Sequence, residues 1–420
     1  MSLRKILLLA GIALPVILLP CLPASAQRPD LPPEEVIIQA LDNHPAVSAA
    51  QARVQSARAQ EQMLRRGSHE FTLQGTVSRR SVDREGDYGE FDANITRPFR
   101  LPGKATMDRQ AGALGVEVAH NMMEDVRHQT ALTFSDLWHD WLTASALHRN
   151  DLLTAESLER SLRAVGRRAQ LRDAAMLDVD QADSALAMAQ AQAEVSRAQR
   201  EEARAKLAMI FPDVPLPQEA PEMADPVMPV EDVEGLRDHV IGRSHEIRAA
   251  EREAERLTVL ARRARADRMP DPSLGVRLFS ERGGMERGAG VVASIPLGGG
   301  NRKATSDHAS AEAQAAQLDM ARIRREVEAV AAADLSNVRA RQAVWASMQR
   351  SATSASAAAT RTERGYTLGA IDLADSLLAQ RQATEARRRE IEARSDLLRA
   401  ILKLRIDAHD IWTASEDHTD

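Results

Sequence analysis

The chain is poor in the residues that build compact catalytic cores. Its 420 residues include one cysteine, Cys21, with six Phe, two Tyr and four Trp. Cys21 falls within residues 1–26, a leader segment, so the chain beyond it has no thiol, and disulfides and thiolate metal sites are excluded. Aromatics make up 3% of the chain while hydrophobic residues reach 44%. Side chains that small suit helices approaching closely along their length, whereas compact enzyme cores are filled with larger groups. Past residue 26 no apolar run is long enough for a membrane-spanning helix. An excess of positive charge is missing as well. With 55 basic and 61 acidic side chains interspersed, there is no stripe of the kind nucleic acid requires. Gly298-Gly299-Gly300 lacks the Gly-Lys-Ser/Thr ending of a phosphate loop. His44, His69, His120, His128, His139 and His148 have neither an i,i+4 partner nor an HExxH context and read as solvent-facing. His409, Asp410, Glu416, Asp417 and His418 read as a solvated tail. No catalytic residue and no cofactor is expected, and the chain is not read as an enzyme.

What is present begins with that leader, residues 1–26. Arg4 and Lys5 open it, Ile6 to Leu19 form its apolar run, and Ala24-Ser25-Ala26 is a small-residue cleavage site. Gly11, Pro15 and Pro20 interrupt the run, so a cleavable secretory signal is expected rather than an anchor. Pro20 stands before Cys21 where a lipid-attachment site has a small residue, so no lipidation is expected.

The chain is organised around Phe91 to Gly112. Phe91, Ala93 and Ile95 alternate with Asp92, Asn94 and Thr96, the period of a strand. Pro98 and then Pro102-Gly103 end it, and a helical composition begins at Ala105. The same junction returns at Ala289 to Arg302, with Pro296 and Gly299 in the corresponding places. Two such junctions mark an internal duplication. The first half, residues 27–211, reads as helix Glu34 to Arg66, a strand around Phe71 to Val77, a loop Ser81 to Gly89, the Phe91 strand, a helix from about Ala105 to Arg167, and a helix from Met176 to Ile210. A proline-rich crossover, 212–230, leads to the second half, 231–412. There the order is helix 231–267, strand Ser273 to Ser280, loop Glu281 to Gly288, strand Ala289 to Leu297, a long helix from Lys303, a break at Gly365 to Gly369, and a helix to Trp412. Residues 413–420 are a polar tail.

Each half thus supplies a hairpin whose strands have the length and alternation of tilted strands crossing an outer membrane. Four strands cannot close a barrel, and lipid tolerates no open edge. Several chains must share one barrel, and three would give twelve strands.

The junction residues carry a resemblance. Thr96–Lys104, TRPFRLPGK, is similar to the PLPGK-type junction of the CzcC-like heavy-metal branch of the TolC-type outer-membrane efflux factors. Ser294–Lys303, SIPLGGGNRK, resembles that family's second-half junction. Gly365–Ala379, GYTLGAIDLADSLLA, resembles its periplasmic tip. The resemblance implies a mainly α fold with a small β part, a homotrimer in which a 12-stranded barrel, four strands per chain, stands above a barrel of long helices. It implies location in the outer membrane with an extension into the periplasm, contact with membrane lipid, an adaptor protein docked at the tips, and an inner-membrane pump of the RND type. Heavy-metal cations are the implied cargo, with no nucleic-acid partner. Arg172, Gly365 and Gly369 then mark the docking tips. Asp178, Tyr366 and Asp375 would gate or line the mouth, with Asp375, and after it Asp372, as a cation ring. Ile371 stands where some relatives hold the mouth shut with arginine. A multidrug or type I secretion duct would share the fold. A soluble periplasmic coiled-coil adaptor or scaffold would explain the helices but not four alternating strands.

Overall fold

In a computed structural model of the chain, residues 30–228 and 233–413 are described. The expected leader and the tail from residue 414, with Glu416, Asp417 and His418, lie outside the described residues. The element order repeats: α1 (Glu34–Asp42), α2 (Pro45–Arg66), β1 (Thr72–Val82), β2 (Gly86–Pro98), α3 (Lys104–Gln170) and α4 (Met176–Ile210) are followed by α5 (Val233–Arg243), α6 (His245–Ala266), β3 (Ser273–Glu281), β4 (Glu286–Ser294), α7 (Gly300–Thr367) and α8 (Leu373–Asp407). At 67 and 68 residues, α3 and α7 are rods of about 100 Å at 1.5 Å per residue. Among the described residues no helix is long and apolar enough to cross a membrane.

Several boundaries differ from expectation for local reasons. The helix expected over Glu34 to Arg66 is two, because Pro45 has no N–H to continue α1 and instead occupies the first position of α2. His44 caps that start, its Nδ1 accepting from the Ala46 N–H at 3.2 Å. The helix expected over 231–267 is likewise cut at Ser244, whose Oγ accepts from the Ile247 N–H at 3.2 Å. The two strand loops are shorter than expected: β1 runs to Val82 and β2 starts at Gly86, with Arg84 turning at φ 71°. β4 starts at Glu286 and stops at Ser294, earlier at both ends than expected. The last helix ends at Asp407, and Trp412 folds back into the core.

The strands form one antiparallel sheet in the order β1-β2-β3-β4, so the two halves meet between β2 and β3. Register carries the alternation across the sheet. Leu73, Ile95, Val276 and Val291 form one row, and Gly75, Ala93, Leu278 and Ala289 the next on the same face. The opposite face carries Gln74, Asn94, Arg277 and Gly290, with Thr76 and Asp92 beside them. Arg277 pairs with Asp92 there, and Arg80 with Glu90 at 2.9 Å. The apolar face is uncovered, with Val77 86% and Val291 83% exposed. Gly275 is required by close approach: a Cβ there would lie 2.1 Å from the Ile95 carbonyl oxygen.

Five of the twelve aromatic residues gather in one place. Phe134, Trp138 and Trp141 of α3 pack with Phe211, Trp412 and the α1 residues Ile37 and Leu41. The Phe134 ring lies 5.2 Å from Phe211 and 5.7 Å from Trp412, and Trp138 Nε1 donates to the Asp30 carbonyl at 2.8 Å. By helix rise this girdle sits about 45 Å from the start of α3. Elsewhere α7 buries Ala313, Ala331, Ala352 and Ala359 beside Val327, Leu335 and Val338, while α3 buries Leu114, Val118, Leu158 and Val165.

Candidate functional site

At the end far from the sheet, α3 turns into α4 and α7 into α8 by the same device. Arg172 N–H bonds the Ala169 carbonyl and Asp173 N–H reaches the Arg168 carbonyl. Gly369 N–H bonds Tyr366 and Ala370 N–H reaches Gly365 in the same pattern. Both are Schellman closures, which place one residue in the left-handed region. Those residues are Arg172 at φ 62° and Gly369 at φ 73°. Glycine bears this conformation freely, whereas arginine costs about 1–2 kcal/mol there.

The tips are brought together. Val165 of α3, Ala182 of α4 and Leu373 of α8 form a buried cluster against which Tyr366 packs. A Cβ on Gly365 would meet Ile371 Cδ1 at 2.6 Å, so Ile371 lies across the break onto α7. Arg168 stacks over the Tyr366 ring at 5.2 Å while its guanidinium pairs with Asp173 at 2.9 Å. The Tyr366 hydroxyl is shielded from solvent and meets no hydrogen-bond partner among the described residues. Asp178 is engaged by its own helix, its Oδ2 accepting from the Ala175 N–H at 3.2 Å. Asp372 caps α8, accepting from the Asp375 N–H at 2.8 Å. Asp375 stands exposed on the first turn.

The second constellation is the strand-to-helix junction, whose charges sequence reading missed. Pro98 ends β2, Phe99 N–H bonds the Pro272 carbonyl at 2.8 Å, and Gly103 turns at φ 86° after Pro102. This throws Lys104 inward, where it is only 2% exposed. Its Nζ meets Asp267 Oδ1 at 2.8 Å, Asp271 Oδ1 at 2.9 Å and the Met269 carbonyl at 2.7 Å. Asp271 also accepts from the Leu101 N–H at 3.0 Å. Behind this, Asp108 is held by Arg100 at 2.9 Å and Arg263 at 2.7 Å. Burial pushes the Asp267 carboxyl up, but bonds from Arg263 and Lys104 outweigh it and leave it below its usual value. Asp271 is lowered too, burial being overcome by Lys104 and the Leu101 amide. The first half's LPGK turn is thus pinned to the second half's α6–β3 connection. The one signal for it was an acidic pair in the RADRMPDP stretch on the far side of the duplication. The second junction is plainer: Gly299 is extended and needs no glycine, Pro296 lies in an exposed connection, and Arg302 donates to the Asp267 carbonyl at 2.9 Å.

The histidine expectation is corrected. Of the six read as solvent-facing only His120 is exposed. His139 is buried with Nδ1 2.8 Å from the Ser135 carbonyl, and His148 Nδ1 lies 3.2 Å from the Ala193 carbonyl. His409 is no part of a solvated tail. It occupies the left-handed position after α8, at φ 51°, against the rings of His128 and His245. Spacing within one helix could not show this, because the partners come from other helices.

A family model described as outer membrane efflux protein matches residues 236–406, most of the second repeat. No curated protein sequence matches the chain. Solved structures do. The outer-membrane channel OprN superposes with a TM-score of 0.76 at 21% identity over 90% of each chain. CusC, whose crystal structures concern folding and transmembrane channel formation, gives 0.74 at 16% over 89% of this chain and 91% of its own. VceC, an outer membrane protein of Vibrio cholerae, gives 0.73 at 17% over 89% and 95%. The fold is that of the TolC-like outer-membrane efflux channels: mostly helical, with a small antiparallel sheet.

Proposed function

We propose that the chain is the outer-membrane exit duct of a tripartite efflux system, working as a homotrimer. The observation that carries this is the sheet. Among the described residues it has one apolar face with no cover, one polar face with its own ion pairs, and edges on β1 and β4 that no other strand pairs. Such a sheet is at rest only when its edges pair with further copies and its apolar face meets lipid. Three copies give twelve strands, the apolar rows outward and the Arg277 face lining a water-filled lumen. The paired tips lie at the opposite end, where an adaptor would dock and an inner-membrane pump of the RND type would feed the duct. Purified protein in detergent should run as a trimer and form ion-conducting channels in planar bilayers. A water-soluble monomer without channel activity overturns the reading.

For the cargo, the LPGK junction points to the heavy-metal branch. Lys104 is buried in a structural tie, so the motif speaks for ancestry and not for contact with a metal. Growth of a deletion strain on a panel of metal salts and drugs decides the cargo: sensitivity to divalent metals supports the reading, and sensitivity to drugs alone refutes it.

A further inference from the structure

About a third of the way along α3 lies a cluster that neither the tips nor the junction uses. Asp125 and His128, three residues apart on α3, face Glu246 in the first turn of α6. One donor atom from each lies within 4.8 Å of the others. His128 Nε2 is 2.8 Å from Asp407 Oδ1, which leaves Nδ1 as the nitrogen for a ligand. Asp125 Oδ1 is shielded from solvent and has no hydrogen-bond partner among the described residues. A cavity of about 250 Å³ opens between these groups, lined also by His245 and His409. The His409 ring lies 5.1 Å from that of His128 and 4.9 Å from that of His245.

We infer that this pocket binds a divalent transition cation of the Zn²⁺ class, with His128 Nδ1, Asp125 and Glu246 as ligands and Asp407 holding the His128 ring. One imidazole nitrogen with carboxylate oxygens is a donor set that suits zinc and its neighbours, whereas calcium and magnesium take oxygen alone. Tetrahedral zinc bonds put donors about 3.3 Å apart, so modest side-chain rotations close the present spacing. The Asp407–His128 contact is the carboxylate–histidine arrangement that fixes the ring and raises its basicity for a metal. An internal ion pair alone would leave the sheltered Asp125 oxygen unsatisfied, and a dication answers it. By helix rise the pocket lies about 32 Å from the start of α3, far from the mouth, and it is independent of the cargo reading.

The test is a Zn²⁺ titration of the chelator-stripped full-length protein in detergent, against a chromogenic competitor and with excess Mg²⁺ present. One competed Zn²⁺ per chain is expected. Asp125→Asn and Glu246→Gln, which keep shape, should each weaken it by more than tenfold, and Asp407→Asn by about 10- to 100-fold. Unchanged near-ultraviolet circular dichroism and particle size show that these variants fold. Co²⁺ loading should give visible bands of a low-coordinate site that His128→Ala removes. Zinc that the Asp125→Asn and Glu246→Gln proteins retain at full affinity overturns the assignment, as does the absence of a one-per-chain site.

Discussion

Lys104→Met tests whether the duplication is held together at the junction. The substitution keeps the length of the side-chain stem and removes the ammonium shared by Asp267, Asp271 and the Met269 carbonyl. Removing one member of a buried ion pair costs about 3–5 kcal/mol. Here Asp271 keeps the Leu101 amide, Asp267 keeps Arg263, and Asp267 is 42% exposed, so screening reduces the loss. A local loss of about 2–3 kcal/mol is expected, which speeds exchange of the protecting amides by about 30- to 160-fold. Hydrogen exchange on the purified protein in detergent reads it at Leu101 and Phe99, with the start of α4 as an unaffected control. The pH dependence has a definite sign. Both aspartates are depressed in the fold, so their contribution is present above the unfolded carboxylate value of about 3.9 and disappears as pH falls below it. Leu101 protection should therefore decline under acid in the parent and change less in the variant. Unaltered protection at Leu101, or the same change at the α4 tip, would refute the reasoning.

Near α8 two groups titrate in opposite senses. Burial, then the charges of His128 and His245, lowers His409 to about 3, while burial and Asp407 raise Asp334 to about 6. Acidification below about 6.5 protonates the unfolded His409 first and favours unfolding; between about 6 and 3.9 the folded Asp334 takes its proton first and favours folding. Asp334→Asn removes the second, so thermal stability should fall more steeply from pH 6 to 4 than in the parent, by up to about 1.4 kcal/mol per pH unit. Arg172→Gly should stabilise its turn by about 1 kcal/mol, seen as slower exchange at Asp173. At Gly369, asparagine should preserve efflux and valine abolish it with trimer assembly intact, because only the former tolerates the left-handed backbone; lost assembly with valine makes the glycine a folding residue alone. Asp375→Asn should weaken the block of single-channel current by trivalent cations with little change in conductance, since threefold symmetry would place three such carboxylates around one axis. An unchanged block removes Asp375 from the mouth.

Sequence alone determined what depends on period and punctuation. Alternation at Phe91–Ile95 and Leu274–Leu278 specified strands with one apolar face, and the prolines after them specified where helices could begin. The duplication, the break at Gly369 and the start of α4 at Met176 were legible for the same reason: each is a local property of a few consecutive residues. The breaks at Pro45 and Ser244 were missed: a helix-starting proline and a cap stand there, but helical periodicity on both sides concealed them. Only the tertiary structure decided which distant groups meet. Lys104 finds Asp271 across 167 residues, and His128 finds Asp407 across 279. Helix-face spacing cannot encode such meetings, because they depend on how far one rod slides and rotates against another. That was set by the aromatic girdle around Phe134 and by the pairing of β2 with β3, which joined the two halves into one sheet.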